Sequence, residues 1–243
     1  RQRQMCIRDR VDIVEGRIKV IAGTGANSTK EAVYLTNSAK SAGADSALLV
    51  TPYYNKPSQE GLFRHYMQVA DEVDLPQILY NVPSRTGCDL QNETVLRLIE
   101  HENIVGLKDA TGDLKRQEDL LIELNKNGSQ NFSLYSGDDP TAARFMLNGG
   151  VGTISVTANI VPKIISEICD LAFEGRSDEA LNLDSKLKEL NEVLFIESNP
   201  IPIKWMLNRI GRITEGLRLP LCSLNEAHHA SAEKVLKDLK LLN

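Results

Sequence analysis

With 243 residues, 42% of them hydrophobic and 25% charged, the chain has an ordinary globular composition and enough apolar mass for one sizeable core. A net charge of −5 argues against nucleic acid as a partner. No apolar run approaches the roughly 20 residues that a membrane-spanning helix needs, so no membrane partner is expected.

The four cysteines, Cys6, Cys88, Cys169 and Cys222, are dispersed, which suggests neither a zinc site nor a disulfide framework. They read as reduced thiols in a cytoplasmic compartment. Neither they nor the His228-His229 pair has the spacing of a metal site, so no metal is expected, and no cofactor motif is found.

Residues 1–10 stand apart. They carry four arginines against one acid, Asp9, and read as a non-native segment outside the fold. From Arg17 onward, β-type runs alternate with helix-length amphipathic stretches. The runs are Lys19–Thr24, Ala47–Pro52, Pro76–Asn81, Asn103–Asp109, Phe132–Gly137 and Val151–Thr157, with starts about 28 residues apart until the last. Helices are predicted over Ser28–Ser41, Ser58–Val73, Gln91–Glu100, Leu114–Asn127 and Pro140–Leu147. Ser28 and Glu31 form a capping-box pattern, and Pro140 suits a first helical turn. Beyond Thr157 only helices are predicted: Pro162–Glu174, Ser177–Ile196, Pro200–Ile210 and Asn225–Leu241.

Six βα units suggest either a (β/α)8 barrel or an open doubly wound sheet. The incomplete Gly23-Thr24-Gly25 pattern and the polar residues at successive strand ends favour the barrel. The predicted fold is therefore an α/β, (β/α)8 TIM barrel, incomplete at six of eight units, with a C-terminal helical extension. Its expected segments are 1–10 (non-native), 11–160 (partial catalytic barrel) and 161–243 (last barrel helix and C-terminal helical region). A closed barrel needs two further units before Val11, so an N-terminal truncation is expected.

The chemistry centres on Ile104-Val105-Gly106-Leu107-Lys108-Asp109-Ala110-Thr111-Gly112. A lysine ending a buried parallel strand must snorkel, pair with a carboxylate, or exist as a neutral amine, and only the last attacks a carbonyl. Tyr80 ends the third run as a candidate proton relay, and Arg85 lies just beyond it with the geometry to hold a carboxylate. In isolation, each also reads as a core tyrosine and a solvated arginine. Tyr53 and Tyr54 follow the second run as packing or interface aromatics. Ser136-Gly137-Asp138-Asp139 and Gly152-Thr153-Ile154-Ser155 supply further polar strand ends, with the two aspartates read as helix caps.

Three stretches together, Tyr80-Asn81-Val82-Pro83-Ser84-Arg85-Thr86-Gly87, Gly106 to Gly112, and Glu197-Ser198-Asn199-Pro200-Ile201-Pro202-Ile203-Lys204, resemble the pyruvate-dependent class I aldolase superfamily. Within it they are most similar to the dihydrodipicolinate synthase family, which Arg85 distinguishes from sialic-acid-type aldolases. The resemblance implies a Schiff-base lyase that condenses pyruvate with aspartate semialdehyde in lysine and diaminopimelate biosynthesis, in the cytoplasm. It implies a homotetramer built as a dimer of tight dimers. It assigns Lys108, Tyr80 and Tyr54 as catalytic, with Tyr54 reaching into a neighbour's site. Arg85, Gly137 and Ile154 are assigned to substrate binding, and Asn27, Glu31 and Tyr53 to a lysine-binding effector site. Helix-start chemistry alone also accounts for Ser28 and Glu31.

The family's Gly-Thr-Thr-Gly-Glu-type loop has no match between Val11 and Ala22, so the chain as given is expected to be impaired. Two other readings stay open: another pyruvate aldolase or 2-oxo-acid hydro-lyase of the superfamily, and a non-catalytic barrel fragment.

Overall fold

The computed structural model describes residues 2–129 and 131–242; Arg1 and Asn243, the outer ends of the first and last expected segments, lie outside them. The chain divides into two compact units. One comprises residues 1–137 with 149–151, and the other residues 138–148 with 152–243.

The first unit is an α/β layer built on five parallel strands: β1 (Ile21–Gly23), β2 (Ser46–Val50), β3 (Gln77–Asn81), β4 (Ile104–Asp109) and β5 (Ser133–Ser136). Each pairs with the next in chain order, through registers such as Leu49 with Leu79 and Leu79 with Leu107. A doubly wound sheet reverses its strand order at a switch point, whereas a barrel does not. The unbroken order therefore has barrel winding. Helices α2 (Thr29–Ser41), α3 (Gln59–Glu72), α5 (Asn92–Leu98) and α6 (Leu114–Lys126) follow successive strands, and each packs on the next. A short α4 (Pro83–Thr86) follows β3 directly.

β3 is buried on both parities over Gln77–Leu79, whereas β2 and β5 alternate buried with half-buried residues and β1 buries Ala22 between exposed Ile21 and Gly23. Leu49, Leu79 and Leu107 are fully buried, and α3 adds Leu62, His65, Tyr66, Val69 and Ala70 at helical spacing. The Tyr66 hydroxyl donates to the Leu49 carbonyl at 3.2 Å. Gly106 lets β4 and β5 approach, since a Cβ there would lie 2.7 Å from the Ser133 carbonyl oxygen.

Several expectations need correction. The proposed boundary after residue 10 falls inside a helix, α1 (Gln2–Val14). Ile7 packs against buried Ala22, Ala39 and Ala44, and Val11 lies so close to Gly43 that a Cβ there would meet its Cγ1 at 3.2 Å. Composition alone hid that contact. Nor does the division fall at residue 160, because α7 (Ala142–Leu147) packs on α8 (Pro162–Phe173) and α9 (Ser177–Ser185) within the second unit. Ser28 is the N-cap of α2 by backbone, but its side chain makes no cap bond. Asp138 binds the Thr141 hydroxyl, and Asp139 accepts from the amides of Val156 and Thr157 rather than capping its own turn.

The second unit also holds the two-residue β6 (Gly152–Thr153), α10 (Lys188–Leu194), α11 (Ile201–Arg209) and α12 (His229–Asp238) around Ile168, Leu187, Leu190, Leu194, Met206 and Leu236. The single helix expected over Ser177–Ile196 is two. The last turn of α9 tightens to i−3 bonds, Lys186 N–H to Leu183 and Leu187 N–H to Asp184, before α10 begins. Glu197 accepts from the Asn225 amide at 2.9 Å and ties the segments before α11 and α12 together.

Candidate active site

Tyr80 and Lys108 occupy directly paired positions on β3 and β4, so their side chains leave the same face of the sheet. Lys108 is 8% exposed. Its Nζ stands over the Tyr80 ring, 4.1 Å from the centroid, where the ring shields one side of the amine from water. Burial pushes the Tyr80 phenol above its ordinary range, and the Arg85 guanidinium partly offsets this. The phenol is thus a protonated donor at neutral pH.

Gly137 closes on the lysine from the next strand. A Cβ there would stand 2.7 Å from Lys108 Cε, 3.1 Å from its Cγ and 2.9 Å from Ala110 Cβ. Only a hydrogen fits beside the lysine stem. The Gly137 amide donates to the Asp109 carbonyl at 2.6 Å and holds the strand end in place.

Arg85 sits on α4, exposed, with Gly87 ending that turn in the left-handed region. Tyr54 is 89% exposed on the loop after β2, at φ +76°, and its amide donates to the Thr86 carbonyl at 3.2 Å. Asn27 and Glu31 lie before and within the first turn of α2. The Asn55 side chain donates to the Asn27 carbonyl at 2.9 Å and brings the Tyr53 loop to that turn; Tyr53 is exposed. Ile154, half-buried beyond β6, belongs to the second unit.

Lys108, Tyr80 and Gly137 are therefore brought together. Tyr54, Glu31 and Tyr53 are exposed on the first unit, and Asn27 is half-buried. No group of three or more His, Cys, Asp or Glu among the described residues is placed to hold a metal ion.

Sequence reasoning passed over Asn81, Asp89 and Arg116, which join Asp109 on the opposite face of the same two strands. Arg116 carries no motif in the sequence, and only its proximity to Lys108 along the chain was a signal. In the second unit, a separate cavity of about 640 Å³ is lined by Asp138, Arg144, Asp184, Lys188, Asn191 and Phe195 among others.

A parallel α/β unit of barrel winding with a buried lysine against a phenol at its strand ends defines a class of protein able to capture carbonyl compounds as imines. Residues 1–239 match the model of the dihydrodipicolinate synthetase family, and the chain belongs to that family. It is 55% identical over 236 residues to a 4-hydroxy-tetrahydrodipicolinate synthase from Pseudomonas savastanoi pv. phaseolicola, covering 97% of this chain and 80% of that one.

The dihydrodipicolinate synthase of Acinetobacter baumannii, a chloride-inhibited enzyme solved with pyruvate, superposes with a TM-score of 0.96 at 51% identity, covering 99% of this chain and 81% of that chain. The enzyme from Cyanidioschyzon merolae, solved with lysine bound, superposes at 0.93 with 34% identity, covering 99% and 80%. The family match includes residues 1–10 and does not bear out the expected truncation.

Proposed function

We propose that this chain is a 4-hydroxy-tetrahydrodipicolinate synthase, condensing pyruvate with L-aspartate 4-semialdehyde through a Schiff base on Lys108. The apposition of Lys108 and Tyr80 carries this reading, in a family whose relatives bear that name. The neutral amine of Lys108 adds to the pyruvate ketone and loses water as the imine forms. The cationic imine withdraws electrons, so a methyl proton departs to leave an enamine without a metal. Tyr80 passes protons between these states. The enamine carbon then bonds to the aldehyde carbon, whose oxygen takes a proton to become the 4-hydroxyl. Attack by the semialdehyde's amine on the imine carbon closes the ring and releases Lys108, so one water leaves overall.

Arg85 holds the carboxylate of the second substrate and Gly137 contributes to substrate binding beside the lysine stem, and orientation is their contribution. Tyr54, almost wholly exposed, serves a neighbouring copy in a homo-oligomer assembled as a dimer of tight dimers. We read the fold as six of eight units of a (β/α)8 barrel with a C-terminal helical extension. The compartment is cytoplasmic, in keeping with four free cysteines. Among the described residues, no helix is long and apolar enough to cross a membrane.

Borohydride reduction with pyruvate tests the reading. It is expected to leave a reduced adduct on Lys108, located by peptide mass mapping. An adduct elsewhere, or none, overturns it.

A second reading concerns Asn27, Glu31 and Tyr53 as a site for free lysine, favoured by the exposure of Glu31 and Tyr53 and by the Asn55 to Asn27 bond beside them. Lysine titrated into the protein by calorimetry is expected to bind, and Tyr53→Ala to abolish the heat.

A further inference from the structure

One register step beyond the Tyr80 and Lys108 pair, Asn81 of β3 lies opposite Asp109 of β4, with their side chains on the other face of the sheet. Asn81 is fully buried. Its Nδ2 donates to Asp89 Oδ1 at 2.8 Å, and its Oδ1 accepts from the Leu90 amide at 3.0 Å. Arg116, in the first turn of α6, spans the gap between the two strand exits. Its Nη1 donates to Asp89 Oδ1 and Oδ2 at 3.0 and 2.9 Å, its Nη2 donates to the Leu90 carbonyl, and its Nε lies 3.3 Å from Asp109 Oδ2. Thr111 N–H completes the hold on Asp109 at 2.7 Å.

We infer that Arg116 is a positioning residue, tying the segment after β3 to the segment after β4 so that Tyr80 and Lys108 keep their spacing. The inference rests on the imine-forming reading above. The guanidinium side chain is 16% exposed and Asp109 11%, so that half of the link is largely dry and little screened, while the Asp89 side chain, 39% exposed, meets solvent on one side. One planar fork reaches two carboxylates and a carbonyl, which a point-charge ammonium cannot do at once. Without it, Asp89 and Asp109 face each other uncompensated across the seam between β3 and β4, and their repulsion acts to part the strand ends carrying the reactive pair.

The test follows exchange of the pyruvate methyl hydrogens in D2O by proton NMR, which needs only Lys108, its imine and a proton relay. In Arg116→Lys, the maximal exchange rate is expected to fall about tenfold or more, with the KM for pyruvate changed by less than about twofold and the protein still folded. Added millimolar guanidinium is expected to restore part of the lost rate in Arg116→Ala. A merely structural arginine would show neither the kcat-only loss nor the rescue.

Exchange by Arg116→Lys within about twofold of the parent, or no rescue of folded Arg116→Ala, overturns the positioning role alone. A parent that neither exchanges nor is trapped by borohydride overturns the imine reading and this inference with it. If the Arg116 variants do not fold, Asp89→Asn, which weakens the same link at constant volume, is held to the same criterion on rate and KM.

Discussion

Lys108 and Tyr80 are directly paired across two parallel strands, with the lysine nitrogen 4.1 Å from the centre of the phenol ring. Neighbouring strands fix that distance through the backbone, so the amine and the proton donor meet without relying on a mobile loop. Lys108→Ala and Lys108→Arg are both expected to abolish borohydride trapping of pyruvate, because neither supplies a primary amine. Tyr80→Phe is expected to retain trapping while slowing methyl-hydrogen exchange by about 100-fold or more. Mass spectrometry and NMR on the same samples separate the two effects, and full exchange in Tyr80→Phe would remove the relay from this residue.

Gly137 tests the geometry from the other side. A methyl group there collides with Lys108 and Ala110 at 2.7 and 2.9 Å, so Gly137→Ala must displace the lysine stem. A shift of about 1 Å at a reacting atom costs about 100-fold. That loss in exchange rate is expected with the protein still cooperatively folded by thermal unfolding. Unimpaired exchange would mean that Lys108 adopts another rotamer in the working enzyme.

Acid sensitivity is expected to originate in part at His65. Burial lowers its imidazole from 6.5 to about 4, with Nδ1 bonded to Thr29 Oγ1 at 2.9 Å. The unfolded chain takes up this proton near 6.5 but the folded one only near 4. The stability is therefore present above about pH 6.5 and is lost as pH falls towards 4, by up to about 3 kcal/mol. His65→Gln, measured by urea unfolding at several pH values, should flatten the curve in that window. An unchanged slope would dismiss His65 as its source.

Asp184 acts with the opposite sign. Burial raises its carboxyl to about 6, Asp139 adds to the rise, and Arg144 opposes it. Its contribution is present below about pH 3.8 and is lost as pH rises through 6. Asp184→Asn should therefore stabilise the protein by about 1–2 kcal/mol at pH 7.5, allowing for solvent screening, and give little at pH 3.5. A gain of equal size at both pH values would point to packing instead.

The periodic alternation of strand and helix was legible because buried parallel strands are apolar on both parities while their helices are apolar on one stripe. Five of the six predicted runs became strands within two residues of their expected bounds, whereas of Val151–Thr157 only Gly152–Thr153 is strand and Thr157 opens a 3-10 turn. Motif residues marked Tyr80, Lys108 and Arg85 one at a time. The helical continuity read across Lys186 and Leu187 failed because periodicity does not register a tightened turn. The dismissal of residues 1–10 failed because composition says nothing about where Ile7 packs.

Local pattern therefore determined which residues end strands and what chemistry each type can perform. Tertiary structure alone decided that Tyr80 lies opposite Lys108, that only hydrogen fits at Gly137, and that Arg116 reaches Asp89, 27 residues back along the chain, while also meeting Asp109. Those facts depend on strand register and on side chains meeting through space, and neither leaves a trace in the periodicity of a single sequence.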